Sequence, residues 1–218
     1  MRIKPDWRIL YAISAAAVLT GLLPDLQPLF FAAKPLLMIS LFLYFISVTR
    51  DYPRWRNAVM AALAFSWAGD VLLISADGFV AGLAAFLVAH VFYIIAYHNT
   101  GAASVALRPL DILMAVIYGG GLMWLIYPGL GDLKTAVFLY ALVLLGMVVW
   151  ALKRRGATNA ASFRLVAAGA ILFALSDGLI AVHKFAFAIP AERLLVMSVY
   201  MTSQYLIVQG LIQHRERT

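Results

Sequence analysis

Two aspartates inside long apolar runs are the residues of this chain best suited to chemistry. Asp70 follows the segment Phe65-Ser66-Trp67-Ala68-Gly69, and Asp177 follows Leu172-Phe173-Ala174-Leu175-Ser176. A charge at the centre of a membrane costs about 2.5–3.5 kcal/mol, so such a residue normally faces the protein interior and has a function. Two carboxyl groups in one poorly hydrated pocket take different protonation states, one an acid and the other a base. The pair therefore indicates either hydrolysis of an acid-labile bond or proton-coupled transport.

Further polar residues are expected to converge on the aspartates. Lys34 opens one apolar run, His90 and Tyr93 share a face of another, and Tyr200 and Gln204 lie in the last. Structural alternatives exist for each, because a lysine can extend its amine to the membrane surface and the others can hydrogen-bond between helices. We predict that these residues support the two aspartates. Ser66 and Ser176, which precede the aspartates closely, are included in the same predicted site.

Other catalytic chemistries have less support. A Gly-x-Ser-x-Gly elbow is absent, and neither Ser66 nor Ser176 has a histidine close in sequence. The chain contains no cysteine, which excludes disulfides and thiolate chemistry. The histidines, His90, His98, His183 and His214, lack the spacing of a zinc site. We predict neither a metal nor a cofactor, and a metal-dependent lipid hydrolase using His90, His183 and an aspartate is a further alternative.

The elements that must position these residues are membrane-spanning helices. Of the 218 residues, 64% are hydrophobic and 12% charged, far from the composition of a soluble domain. A span needs about 20 apolar residues. The apolar runs cover 7–23, 29–48, 55–74, 79–98, 109–127, 133–152, 164–184 and 193–212. We predict an all-α, polytopic transmembrane bundle of about eight spans, in a single domain over 1–218, with the first run retained as a span.

Lysine and arginine predict the orientation. With the N-terminus in the cytoplasm, 13 of the 17 basic residues fall on the inner side: Arg2, Lys4, Arg8, Arg50, Arg54, Arg56, Arg108, Lys153, Arg154, Arg155, Arg164, Arg215 and Arg217. Lys34, Lys134, Lys184 and Arg193 fall on the outer side. This asymmetry predicts that both termini are cytoplasmic. It also explains the net charge of +7 without a nucleic-acid partner.

A weak internal repeat is also suggested. Segments 65–73 and 172–180 each place an aspartate late in an apolar run, beside a glycine and near a serine. They lie four runs apart, so a four-plus-four duplication would give two parallel halves. Under the predicted topology both of these runs cross from inside to outside, so Asp70 and Asp177 are expected at similar depth in the outer half of the membrane, where they can share one cavity.

Five motifs in order resemble the YhhN family of membrane proteins. They are Lys34-Pro35-Leu36-Leu37-Met38, Ser66-x-x-Gly69-Asp70-x-x-Leu73, Phe86-x-x-x-His90-x-x-Tyr93, Gly169-Ala170-x-Leu172-Phe173-x-x-Ser176-Asp177 and Tyr200-x-x-x-Gln204-x-Leu206-Ile207. Together they extend over seven of the eight runs. The last motif departs from the family pattern at Val199 and Ser203 but keeps Tyr200 and Gln204.

The resemblance implies an enzyme. The family includes the mammalian lysoplasmalogenases, which implies hydrolysis of the vinyl-ether bond of a lysophospholipid within the bilayer, giving a fatty aldehyde and glycerophospho-ethanolamine or -choline. It also implies that the essential aspartates are Asp70 and Asp177. The alternative is a proton-coupled transporter of a small molecule or lipid. We expect a multi-pass protein of a bacterial inner membrane, and the sequence does not indicate its oligomeric state.

Overall fold

The chain forms a helical protein, as predicted. A computed structural model describes residues 6–49 and 54–214, and this part contains eight α-helices and no β-strand. They are α1 (Trp7–Thr20), α2 (Gln27–Val48), α3 (Arg56–Leu72), α4 (Phe79–Asn99), α5 (Pro109–Ile126), α6 (Lys134–Lys153), α7 (Ala160–Phe185) and α8 (Glu192–Ile212). Each predicted apolar run corresponds to one helix, with ends displaced by a few residues. Arg2, Lys4, Arg50, Arg215 and Arg217 of the topology prediction lie outside the described residues.

Most of these helices are long enough to cross a membrane. The segments that qualify by length and apolarity are Pro24–Val48, Phe79–Asn99, Pro109–Gly129, Gly131–Lys153, Ala160–Phe185 and Glu192–Ile212. Helices α1 and α3 have 14 and 17 residues. At 1.5 Å per residue they are about 21 and 26 Å long, against about 30 Å of hydrocarbon. The protein is therefore a multi-pass helical membrane protein, and the count of eight spans stays a prediction at these two helices.

Contacts divide the chain into two compact units, Met1–Ala89 and His90–Thr218. In the first unit, α1 packs on α2 and α2 packs on α3. Val18, Leu37 and Leu63, one from each of these helices, are completely buried and contribute to its apolar core. This unit carries three of the predicted polar side chains inside that core, Lys34, Ser66 and Asp70, which is why its packing matters for the candidate site.

In the second unit, α7 and α8 form the closest helix pair. A Cβ atom at Gly169 would lie 2.8 Å from the backbone oxygen of Ser203, and one at Gly210 would lie 2.9 Å from the backbone nitrogen of Val166. Glycine therefore permits the two backbones to approach at both ends of this contact. In contrast, much of α5 is exposed, and Trp124 keeps 81% of its accessible surface.

A buried arginine connects several helices at one end of the second unit. Arg154, just after α6, is fully buried and donates to the hydroxyl oxygens of Thr100 and Ser162, at 2.9 Å each. Ser162 in turn donates to the carbonyl of Gly210 in α8. Arg154 thus connects the ends of α4 and α6 with the start of α7, and Ser162 extends the contact to the end of α8. Burial lowers the pKa of Arg154 to about 10, so its guanidinium is still charged at neutral pH.

The α7–α8 contact gives a stability prediction. We expect Gly169→Ala to destabilise the protein by about 1–3 kcal/mol, because the new methyl group meets backbone atoms that cannot move aside. Gly120→Ala is the matched control, since nothing lies within 4 Å of a Cβ atom at that helical position. Thermal unfolding in detergent measures both variants. Equal melting temperatures for the two would contradict this account of α7–α8 packing.

Candidate active site

In the first unit, Asp70 of α3 lies beside Lys34 of α2. Lys34 Nζ is 3.9 Å from Asp70 Oδ1, and the two side chains are only 8% and 4% exposed. The ammonium group is also 5.8 Å from the centre of the Phe30 ring. Lys34 directly precedes Pro35, which lies inside α2 and cannot donate to the carbonyl one turn earlier. The contact with Asp70 places the amine in the protein interior, rather than at the surface.

Ser66 lies one turn before Asp70 and is equally buried. Its hydroxyl has no hydrogen-bond partner among the described residues. Gly69, next to Asp70, lies against the ring of Phe86, and a Cβ atom there would be 2.6 Å from that ring. The small residues of this motif therefore let the start of α4 pack closely on the carboxylate-bearing turn of α3.

In the second unit, Asp177 of α7 accepts a hydrogen bond from Tyr140 of α6. The Tyr140 hydroxyl donates to Asp177 Oδ2. A second phenol, Tyr118 of α5, donates to the carbonyl of Ala174 at 2.8 Å, one turn before Asp177. Its hydroxyl occupies the space beside Gly178, where a Cβ atom would lie 2.3 Å away. Helices α5 and α6 thus each direct a phenol towards the carboxylate-bearing turn of α7.

A second polar group in this unit connects α4 with α8. Tyr93 donates to Gln204 Oε1 at 2.6 Å, and Gln204 Nε2 donates to the Tyr200 hydroxyl at 3.4 Å. All three side chains are buried. Ser176 instead donates to the backbone oxygen of Val196 at 3.2 Å, so its hydroxyl joins α7 to α8. The interhelical hydrogen bonds considered as the structural alternative are therefore present at Gln204, while a part in catalysis stays a prediction.

His90 lies between these two polar groups of the second unit. Its ring packs edge-on against the rings of Tyr140 and Phe173, with centroids 5.3 and 4.8 Å apart. The Phe173 ring also contacts Tyr200, at 5.5 Å between centroids. His90 is completely buried. The predicted residues of the second unit are thus linked through aromatic contacts as well as hydrogen bonds.

Tyr140 is the partner of Asp177 that sequence reasoning missed. It lies six residues into α6, and Asp177 lies eight residues before the end of α7. With the two helices antiparallel, these positions are about 9 and 12 Å from the same side. Its depth matches that of the aspartate, but other tyrosines also lie within the runs, so only the packing of α6 on α7 selects it. Tyr118 and the buried Arg154 were also missed. The sequence around Tyr118 indicates only a span, and Arg154 lies in a basic cluster that indicates only the flank of one.

Metal ligation has no obvious location in the described ranges. No group of three or more His, Asp or Glu side chains there could hold a metal ion. His183, one member of the metal alternative, accepts a hydrogen bond from the backbone of Ile189 at 3.0 Å. His98 contacts Asn99 and the ring of Trp150 near the end of α4.

The fold, with a buried Asp70 and a half-buried Asp177, defines a multi-pass membrane protein with polar sites inside its helical units. The model of the YhhN family matches residues 29–211, so this chain belongs to the YhhN family. The match includes all five motifs, and with them Asp70 and Asp177.

Curated relatives agree with this assignment. A pig protein named lysoplasmalogenase TMEM86B (Sus scrofa) is 35% identical over 189 residues, covering 85% of this chain and 77% of its own. The human protein of that name (Homo sapiens) is 30% identical over 212 residues, or 94% of this chain and 87% of its own. A lysoplasmalogenase of Mycobacterium tuberculosis is 31% identical over 199 residues, covering 88% and 72%. No solved structure matches the chain.

The contact between Lys34 and Asp70 gives a second stability prediction. We expect Lys34→Met to destabilise the protein by about 3–5 kcal/mol, because it leaves a carboxylate buried without its cation. Adding Asp70→Asn should recover part of that loss, so the double variant should unfold later than Lys34→Met alone. Reversible unfolding in mixed micelles measures the cycle, with Lys184→Met as the control at an exposed lysine. Strictly additive effects would show that the two charges do not interact.

Proposed function

We propose that this protein is an ether hydrolase that cleaves the vinyl-ether bond of a lysoplasmalogen. The products are a fatty aldehyde and a glycerophospho-ethanolamine or -choline. Membership of a family whose curated relatives are named lysoplasmalogenases supports this activity. The observation that carries the mechanism is the placement of two carboxylates inside membrane helices, one beside a lysine and the other hydrogen-bonded by a tyrosine.

The chemistry needs a proton donor and a proton acceptor. The donor transfers a proton to the carbon remote from the ether oxygen, using the π electrons of the double bond. The resulting oxocarbenium ion is attacked by water, which passes one proton to the acceptor and leaves a neutral hemiacetal. The hemiacetal then collapses to the aldehyde: its hydroxyl proton passes to the donor carboxylate, and the acceptor gives its proton to the departing glycerol oxygen, so both carboxyl groups return to their starting states. Paired carboxylates handle similar cations in glycoside hydrolysis.

The two aspartates suit different halves of this sequence. A cation beside a carboxylate favours its charged form, so Lys34 suits Asp70 to stabilise the oxocarbenium ion and accept the proton of water. Asp177 is then the proton donor. Tyr140 orients the Asp177 carboxyl group through its hydrogen bond to Oδ2. With one oxygen held in this way, the other is directed for transfer of the proton to carbon.

The remaining predicted residues bind and orient the substrate. Tyr93, Gln204 and Tyr200 form a buried polar cluster, which suits the oxygen-rich glycerol part of a lysolipid. Ser66 carries a buried hydroxyl without a partner in the described ranges, which suits a bound water or a substrate oxygen. A one-chain lipid would enter between helices from the bilayer. We place the protein in the inner membrane of a bacterium.

Replacement of the two aspartates tests the proposal. Asp70→Asn and Asp177→Asn should each lower kcat for aldehyde release by at least about 100-fold, since each loses a proton-transfer group. The measurement is aldehyde release from purified protein with a lysoplasmalogen. Asp111→Asn is the matched control, because Asp111 pairs with Arg155 at 3.5 Å and has no assigned role.

Two results would count against the proposal. An inactive wild-type protein would reject the activity, and full activity in both aspartate variants would reject the carboxylate mechanism. Unchanged melting behaviour of the variants would establish that a lost activity reflects chemistry rather than unfolding.

A further inference from the structure

The imidazole of His90 has unsatisfied hydrogen-bonding capacity. The residue is 0% exposed, and neither Nδ1 nor Nε2 has a hydrogen-bond partner among the described residues. Buried polar side chains in folded proteins almost always have a partner, so an orphaned one calls for a bound water or ligand. The His90 ring therefore marks a place where a polar group from outside the chain binds.

The surroundings of His90 fix where that group lies. The rings of Tyr140 and Phe173 meet the imidazole edge-on, at interplanar angles of 65° and 82°. These contacts hold the ring in one orientation. Tyr140 is also the hydrogen-bond donor to Asp177. A ligand on His90 is therefore next to the side chain that orients the proposed proton donor.

The chemistry of the imidazole specifies the kind of ligand. A neutral imidazole presents one N–H donor and one nitrogen acceptor, so full satisfaction requires a group that both accepts and donates. An alcohol hydroxyl does both. A phosphate diester only accepts, and a quaternary ammonium group does neither. Among the described residues, the ring contacts of His90 are with Tyr140 and Phe173, and neither side chain supplies a positive charge to offset that of a phosphate. Among the polar groups of a lysolipid, the one that matches His90 is a hydroxyl.

We infer that His90 binds the free sn-2 hydroxyl of the lysolipid and so selects one-chain substrates. This inference rests on the proposed function. The sn-2 hydroxyl is on the carbon adjacent to the one that bears the ether oxygen, so a lipid cleaved beside Asp177 carries this hydroxyl close to the reacting atoms. An acyl group at sn-2 removes the donor hydrogen and adds bulk, leaving the acceptor nitrogen of His90 unpaired. Sites built to bind a hydroxyl discriminate strongly against analogues that lack it.

A selectivity ratio tests the inference. The substrates are a lysoplasmalogen and its sn-2 deoxy analogue, matched in chain and headgroup. For the wild-type protein we expect kcat/KM to favour the hydroxyl substrate by at least about 100-fold. His90→Phe keeps an aromatic ring without nitrogens and should bring the ratio close to one. Tyr97→Phe is the matched control, because Tyr97 is another fully buried α4 residue whose hydroxyl has no partner in the described residues. It should keep the wild-type ratio.

Other outcomes would overturn it. No preference for the hydroxyl substrate in the wild-type protein would do so without any variant. A wild-type selectivity ratio in His90→Phe would also overturn the inference, even if activity on both substrates is lower. His90 would then only bind the attacking water or contribute to packing. Should His90→Phe fail to fold, His90→Gln replaces it. Glutamine retains a donor and an acceptor but holds them at different positions. A selectivity ratio between one and the wild-type value would support the inference, whereas an unchanged ratio would reject it.

A binding measurement separates this inference from the proposed function. A saturated 1-O-alkyl lysolipid cannot be cleaved by protonation of a double bond, yet it carries the same sn-2 hydroxyl. We expect it to raise the melting temperature of the wild-type protein more than its sn-2 deoxy analogue does. We expect this difference to vanish in His90→Phe. The same result in a protein that releases no aldehyde would retain the inference and reject the hydrolase proposal, and equal shifts for both ligands would reject the inference.

Discussion

A polar side chain inside a bilayer must find its partners within the protein, because hydrocarbon offers no hydrogen bonds. Three ionisable groups among the described residues follow that constraint. Asp70 lies beside Lys34, and Asp177 accepts a hydrogen bond from Tyr140. Arg154, just after α6, donates to the hydroxyls of Thr100, after α4, and Ser162, in the first turn of α7. Each contact holds helices together and also keeps a reactive group in a defined position.

Some buried polar groups are exceptions to this constraint. The nitrogens of His90 and the hydroxyls of Ser66 and Tyr97 are buried without partners among the described residues. His90 lies against the residue that orients Asp177, and Ser66 lies one turn from Asp70. Unsatisfied groups therefore occur beside both carboxylates, as is typical of sites that bind something else.

The helices were predictable because their main signal is local. A run such as 133–152 is apolar throughout, and α6 occupies Lys134–Lys153 almost without displacement. The partner of an individual side chain depends instead on which helices meet and on how each is rotated. Lys34 beside Asp70 could be anticipated, since few cations occur within the runs. Tyr140 could not be selected from composition, because tyrosines are common at span ends and only the packing of α6 on α7 distinguishes this one.

The lengths of two short helices are a second feature that the sequence did not predict. Apolar runs of ordinary length predicted α1 and α3, yet they form only 14 and 17 helical residues. Both helices end where the chain turns. Gly21 directly follows α1 and packs against Phe30, and the segment 72–78 at the end of α3 turns at Gly78. Hydropathy indicates which residues prefer lipid, whereas the residue at which a helix ends depends on the contacts that the following residues make.

Isotope incorporation tests the central claim, protonation at carbon followed by attack of water on the oxocarbenium ion. Hydrolysis of a lysoplasmalogen in D2O enriched in ¹⁸O should give an aldehyde with one deuterium on the carbon next to the carbonyl and ¹⁸O in the carbonyl itself. Preformed aldehyde in the same solvent corrects for exchange, and mass spectrometry reads both labels. An aldehyde without the deuterium, or ¹⁸O in the released glycerol hydroxyl, would contradict the account.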